Sequence, residues 1–166
     1  MKTAQNLLMA TLLAAAISAP AMAGVEVTFT DAEHYTDAKM RAGYGKKERE
    51  EVLAQIRGYL ERLGARHLAP NQTLKIEVLD IDLAGHVEWW NSSYYDVRIL
   101  RDITSPSMKV RYTLEQDGKT VTSGEELIAD RNYLMGISVT AHSADTFRYE
   151  KAMLNDWFRK RFAKSG

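Results

Sequence analysis

The feature that most restricts this chain is the run LKIEVLDIDLAG, residues 74–85, in which a strand changes the parity of its apolar row. Leu74, Ile76 and Val78 stand at even positions, whereas Leu79, Ile81 and Leu83 stand at odd ones. Side chains on a strand alternate between two faces, so an unbroken period of two cannot bury both rows on one side. A β-bulge near Val78 and Leu79 adds one residue and swaps the faces. The buried row is then Leu74, Ile76, Val78, Ile81 and Leu83, with Asp80 and Asp82 turned to solvent. Without a bulge, the two aspartates continue the row of Val78 under or beside a helix, where each carboxylate needs a partner. Arg98, on a following strand, is available for that. The bulged arrangement is the expected one, because it desolvates no carboxylate.

The rest of the chain supplies the elements that cover this strand. VEVTF, residues 25–29, alternates cleanly and reads as a strand. The polar stretch that follows, up to Gly45, keeps no period and reads as a long loop of the kind that carries function. Val52, Leu53, Ile56, Tyr59, Leu60 and Leu63 then follow the spacing of an amphipathic helix, with Gly45 as its cap and Pro70 as its stop. After the bulged run come strand candidates at DVRIL (residues 96–100), MKVRYTLEQ (108–116) and from Lys119 towards Ile128. Asp117 and Gly118 join the last two, and both tolerate the positive φ of a tight hairpin turn. A final helix opens at Asp145, carries Leu154, Trp157, Phe158 and Phe162 on one stripe, and ends in basic residues that suit its dipole. The order β-α-β-β-β-β-α predicts an α+β fold. It is a two-layer sandwich in which a mainly antiparallel sheet of about five strands carries two amphipathic helices on one face.

The N-terminus bears on the compartment. Lys2, an apolar core at residues 7–19 and small residues at Ala21 and Ala23 have the layout of a secretory signal peptide. The expectation is cleavage after Ala23, a single domain over residues 24–166, and a periplasmic location with no membrane insertion after cleavage. The 22 basic and 22 acidic residues balance, leaving no electrostatic footprint for nucleic acid. With no cysteine there is no disulfide, no thiolate nucleophile and no Cys-ligated zinc.

Several chemistries can be searched for directly. Asp31, Glu33, His34 and Asp37 lie in one run, and Asp80, Asp82, His86 and Glu88 in another, but neither has the spacing of an EF-hand or a His-Glu-x-x-His helix. No metal site and no cofactor is nominated. A glycosidase needs two carboxyls across a cleft, and an alternating acidic strand meets that distance requirement without being an enzyme. Gly-x-Ser-x-Gly, Ser-x-x-Lys and Gly-rich phosphate loops are all missing. The aromatic run EWWNSSYYD is a different kind of signal. Trp89 and Trp90 are neighbours, and neighbours on a strand point to opposite faces, so one of them is expected to be partly exposed. An exposed ring beside a polar turn suits a protein partner or the flat face of a sugar.

VEVTFTDAEHYTDAK, LDIDLAG, VRILRDITSPSMKVRYTL and LIADRNYL together resemble a family of small exported bacterial proteins, the domain of unknown function numbered 3016. The resemblance spans most of the chain after residue 23, with one departure: Ala32 stands where proline is expected. It implies no activity, and it singles out Tyr35, Asp37, Asp80, Asp82, Gly85, Arg98 and Pro106. The expected function is a non-catalytic binding or adaptor domain for an envelope protein or peptidoglycan, with Tyr35, Asp37, Asp80, Asp82, Trp89, Trp90 and Arg98 as candidate binding residues. The alternatives are a hydrolase of an envelope polymer, working through Asp80 and Asp82 with an acid from the first loop, and a structural subunit of an envelope assembly.

Overall fold

The computed structural model describes residues 24–37, 45–88, 97–135 and 145–162. In chain order the elements are β1 (Gly24–Phe29), a 3-10 turn (Ala32–His34), α1 (Lys46–His67), β2 (Gln72–Asp82), β3 (His86–Val87), β4 (Arg98–Ile99), β5 (Ser107–Gln116), β6 (Lys119–Ala129) and α2 (Arg148–Phe162). Four strands form one sheet in the order β1-β2-β5-β6. β1 runs parallel to β2, as a strand pair joined through a helix can, and the other neighbours are antiparallel. The turn between β5 and β6 has φ of 52° at Asp117 and 73° at Gly118, the doubly left-handed geometry that Asp-Gly favours.

Both helices cover one face, so the molecule is the expected α+β sandwich. Ile56, Leu60 and Leu63 of α1 and Met153, Leu154, Trp157, Phe158 and Phe162 of α2 bury against Leu74, Ile76 and Val78 of β2 and Met108, Val110 and Tyr112 of β5. Tyr112, Trp157 and Phe162 meet edge-on, with ring centroids 5.2–5.9 Å apart. α1 approaches β1 closely enough that a Cβ on Gly64 would lie 2.2 Å from Val25 Cγ2, so only glycine fits there. The opposite face of the sheet is wet. Lys75 pairs with Glu115 at 2.7 Å, and Arg111 bridges Glu77 at 2.7 Å and Glu125 at 2.9 Å, a charge ladder typical of a solvated antiparallel face.

Two expectations need correction. The described part of the DVRIL run, residues 97–100, is not a strand of the main sheet: Arg98 and Ile99 are extended and pair with His86 and Val87 in a separate two-stranded sheet. Among the described residues the main sheet therefore has four strands rather than about five. The phase slip in β2 is a bulge, with the register shifting between Val78 and Asp80, and Ile81 and Leu83 are buried as expected. The aspartates stand off the core side, but they are half-buried rather than solvent-facing. The chain after β1 folds over them, which the pattern of β2 alone does not reveal. No described helix is long and apolar enough to cross a membrane.

Candidate functional site

The bulge organises the polar groups at one end of the sheet. The Val78 carbonyl accepts the Thr30 N–H at 3.0 Å and the Tyr35 hydroxyl at 2.7 Å, so the backbone disturbed by the extra residue is satisfied from the first loop. Burial, above all, pushes the Tyr35 phenol up to about 12, which keeps it a donor. One residue on, the Thr36 N–H and hydroxyl both donate to the Asp80 carboxylate at 2.6 Å. Residues 30–36 are thus stitched to β2 at Val78 and Asp80, the two positions that flank the slip.

Arg98 is the second fixture. Its Nη2 donates to Asp37 Oδ1 at 2.6 Å and to the Leu83 carbonyl at 3.1 Å, and its Nε to the Ala84 carbonyl at 3.0 Å. The Gly85 carbonyl accepts from the same Nη2. A planar guanidinium can serve several carbonyls and a carboxylate at once, which an ammonium cannot. Asp37 is 5% exposed, so this is a desolvated ion pair. Gly85 has φ of 73°, and a Cβ there would sit 2.6 Å from the Ile99 carbonyl oxygen, so glycine is required for the carbonyls to turn inward onto Arg98.

A third carboxylate arrives from α2. Glu150 is 3% exposed, and its Oε1 accepts the Ala84 N–H at 2.7 Å. Burial raises its pKa, with Arg98 opposing. Asp82 is raised too, by burial first and against the pull of His86, whose Nε2 lies 3.9 Å from Asp82 Oδ1. Asp82 Oδ1 and Glu150 Oε2 are buried without a hydrogen-bond partner among the described residues.

Of the seven candidate residues, five converge here: Tyr35, Asp37, Asp80, Asp82 and Arg98. Gly85 belongs to the same cluster, and the buried Pro106 accepts the Asp130 N–H at 3.2 Å where β5 begins. Trp89 and Trp90 lie outside the described residues, between β3 and β4. Arg98 does pair with an aspartate, but with Asp37 and not with Asp80 or Asp82. Sequence reasoning missed Glu150 and Thr36. Glu150 left a legible trace: it precedes Met153, Leu154 and Trp157 at helical spacing, an acid on the buried stripe.

A family model covers most of the chain. The model described as Protein of unknown function (DUF3016) matches residues 23–160. The chain belongs to that family. No curated protein and no solved structure matches it.

What this DUF3016 chain can do chemically at the cluster is limited by how its acids are held. Asp80 has both oxygens engaged by Thr36, and Asp37 faces Arg98. The cavity beside them, lined by Ala32, Tyr35, Asp37, Arg49, Ile81 and Leu83 among others, measures about 20 Å³, room for roughly one water. Among the described residues, no group of three or more His, Asp or Glu is arranged to hold a metal ion. His34 is instead paired at 2.6 Å with Asp31 on the surface.

Proposed function

We propose that the protein is an exported, non-catalytic binding domain that presents an apolar surface to a partner in the cell envelope. The observation that carries this reading is a pair of turns at the same end of the chain's sheet. Ile103 is 84% exposed and Met135 77% exposed, with Leu134 and Val97 also largely open. Tyr133 ties the two turns together: it is buried, and its hydroxyl donates to the Arg101 carbonyl at 2.7 Å. Large apolar side chains held in water on anchored turns mark an interaction surface more often than a single scattered one does. The hydrolase alternative keeps only Asp82 of its strand pair, since Asp80 is engaged by Thr36 and the first-loop acid Asp37 by Arg98.

A photo-reactive residue placed at Ile103 or Met135, and at Lys75 on the wet face as control, tests the reading in the native envelope. The expected result is a discrete crosslinked species from the first two positions and none from Lys75. The same pattern of crosslinks from all three, or none from any, would overturn it. Co-sedimentation with purified peptidoglycan separates a cell-wall ligand from a protein partner.

A further inference from the structure

We propose that the outer edge of β6 receives an extended peptide segment of a partner protein. The segment adds to the sheet as a further strand and sets an apolar side chain, followed two residues later by a basic one, into the groove between β6 and α2. This rests on the binding-domain reading and names where and what that domain binds.

The edge is open. β6 is hydrogen-bonded to β5 and to no other described strand. The Asp130 N–H donates to the Pro106 carbonyl, and the register pairs Ile128 with Met108 and Glu126 with Val110. In an antiparallel ladder the backbone groups of alternate residues point to opposite sides. Ser123, Glu125, Leu127 and Ala129 therefore turn their N–H and C=O groups outward. Natural edges are blunted by proline, by lysine within the strand or by short length. β6 has eleven residues, no proline and no lysine after its first position, and its one bulge, between Thr120 and Thr122, lies before the segment from Ser123 to Ala129. Its two acids are tied away from the edge: Glu125 to Arg111 and Lys109 on the wet face, Glu126 to Trp157 and Arg161 on the helix side.

Beside this edge lies a groove of about 260 Å³. Its floor is Ile128, Met153 and Trp157, each nearly buried, and its rim carries Asp130, Asp156 and Lys160. A strand laid along β6 sends every second side chain to that side of the sheet. The floor suits an apolar side chain. Two acids against one lysine on the rim favour a basic one at the next position on the same face. Main-chain pairing supplies affinity in such strand addition, and the pockets for alternate side chains supply selectivity.

Phage-displayed random heptapeptides selected on the full chain test the proposal. The expected consensus is an apolar residue with Lys or Arg two positions away. A synthetic peptide of that consensus should slow hydrogen exchange at the amides of Ser123, Glu125, Leu127 and Ala129. Leu127→Pro removes one outward N–H without touching the ladder to β5, and should weaken the peptide about tenfold or more. Asp156→Lys, on an exposed helix position, should weaken the basic peptide with an unchanged melt. The proposal is overturned by failure to select any peptide, by a consensus lacking the apolar-basic pair, or by binding that leaves those four amides unprotected. Protection of the same amides in the peptide-free protein, with a doubled mass in solution, would assign the edge to a second copy of the chain instead. Crosslinking from Ile103 or Met135 without protection at β6 would refute this docking site and leave the binding-domain reading standing.

Discussion

The bulged end of β2 and the outer edge of β6 treat their polar groups in opposite ways. At the bulged end of β2, donors and acceptors from four separate segments are spent on one another: Tyr35 and Thr36 on the strand, Arg98 on Asp37 and three carbonyls, Glu150 on Ala84. At β6 a row of backbone groups is paired with no described strand beside an apolar groove. The first arrangement joins parts that are distant in sequence and gives them one geometry. The second leaves bonding capacity for something outside the chain. The difference teaches that the residues most eye-catching as chemistry, the acids and the arginine, bond within the fold, while the proposed docking edge is a strand whose sequence carries no such signal.

Breaking the first end should have the largest effect. Arg98→Ala leaves Asp37 as a buried charge without its partner and withdraws the donor from three carbonyls, and should cost about 3–5 kcal/mol in a denaturant melt. Arg98→Lys should recover part of that and no more, because a single ammonium cannot span the same acceptors. A loss below about 1 kcal/mol for the alanine variant would show that the cluster does not hold the fold.

Glu150 should give a smaller effect of opposite sign. Its folded pKa is raised by burial, so the protonated form is favoured in the native state. The stability it contributes is complete below its ordinary value of 4.5 and is lost as pH rises through the raised folded value. Glu150→Gln keeps an oxygen for the Ala84 N–H and discards the buried charge. It should therefore stabilise the protein at pH 7 by on the order of 1 kcal/mol and flatten the decline in stability above pH 4.5. Melts at pH 4 and pH 7 check both the sign and the window, and equal shifts at the two pH values would contradict the assignment.

The smallest effect belongs to the β6 end. Leu127 is 68% exposed, and Leu127→Ser should leave stability within about 0.5 kcal/mol of the parent. A larger loss would mean that this edge is already covered and that the contrast between the two ends is false.

Particular residues show how far the sequence reaches. The bulge was legible because Val78 and Leu79 break the parity of one apolar row, and a period of two leaves no other way to keep Ile81 and Leu83 inside. The hairpin was legible because Asp117 and Gly118 accept a backbone that other residues resist. The helices were legible from their stripes, Glu150 included once an acid among apolar neighbours is read as a buried one. These are local regularities, and short-range sterics and burial enforce them wherever the segment ends up. DVRIL failed for the converse reason. Its composition suits a strand, but whether a strand joins the main sheet depends on which neighbour offers a free edge, and β5 took the place beside β2.

By itself, then, the sequence determined the element types, the α+β class and the bulge, and its family resemblance singled out Tyr35, Asp37, Asp80, Asp82 and Arg98. Only the tertiary structure decided their pairing: Arg98 with Asp37, Thr36 with Asp80, Glu150 with the Ala84 backbone. It alone decided that β6 ends the sheet next to a groove. Hydrophobic periodicity is a property of consecutive residues, so it survives in a bare sequence. A hydrogen bond between residues 61 positions apart, such as that from Arg98 to Asp37, is fixed by how packed elements converge, and strand periodicity carries no record of it.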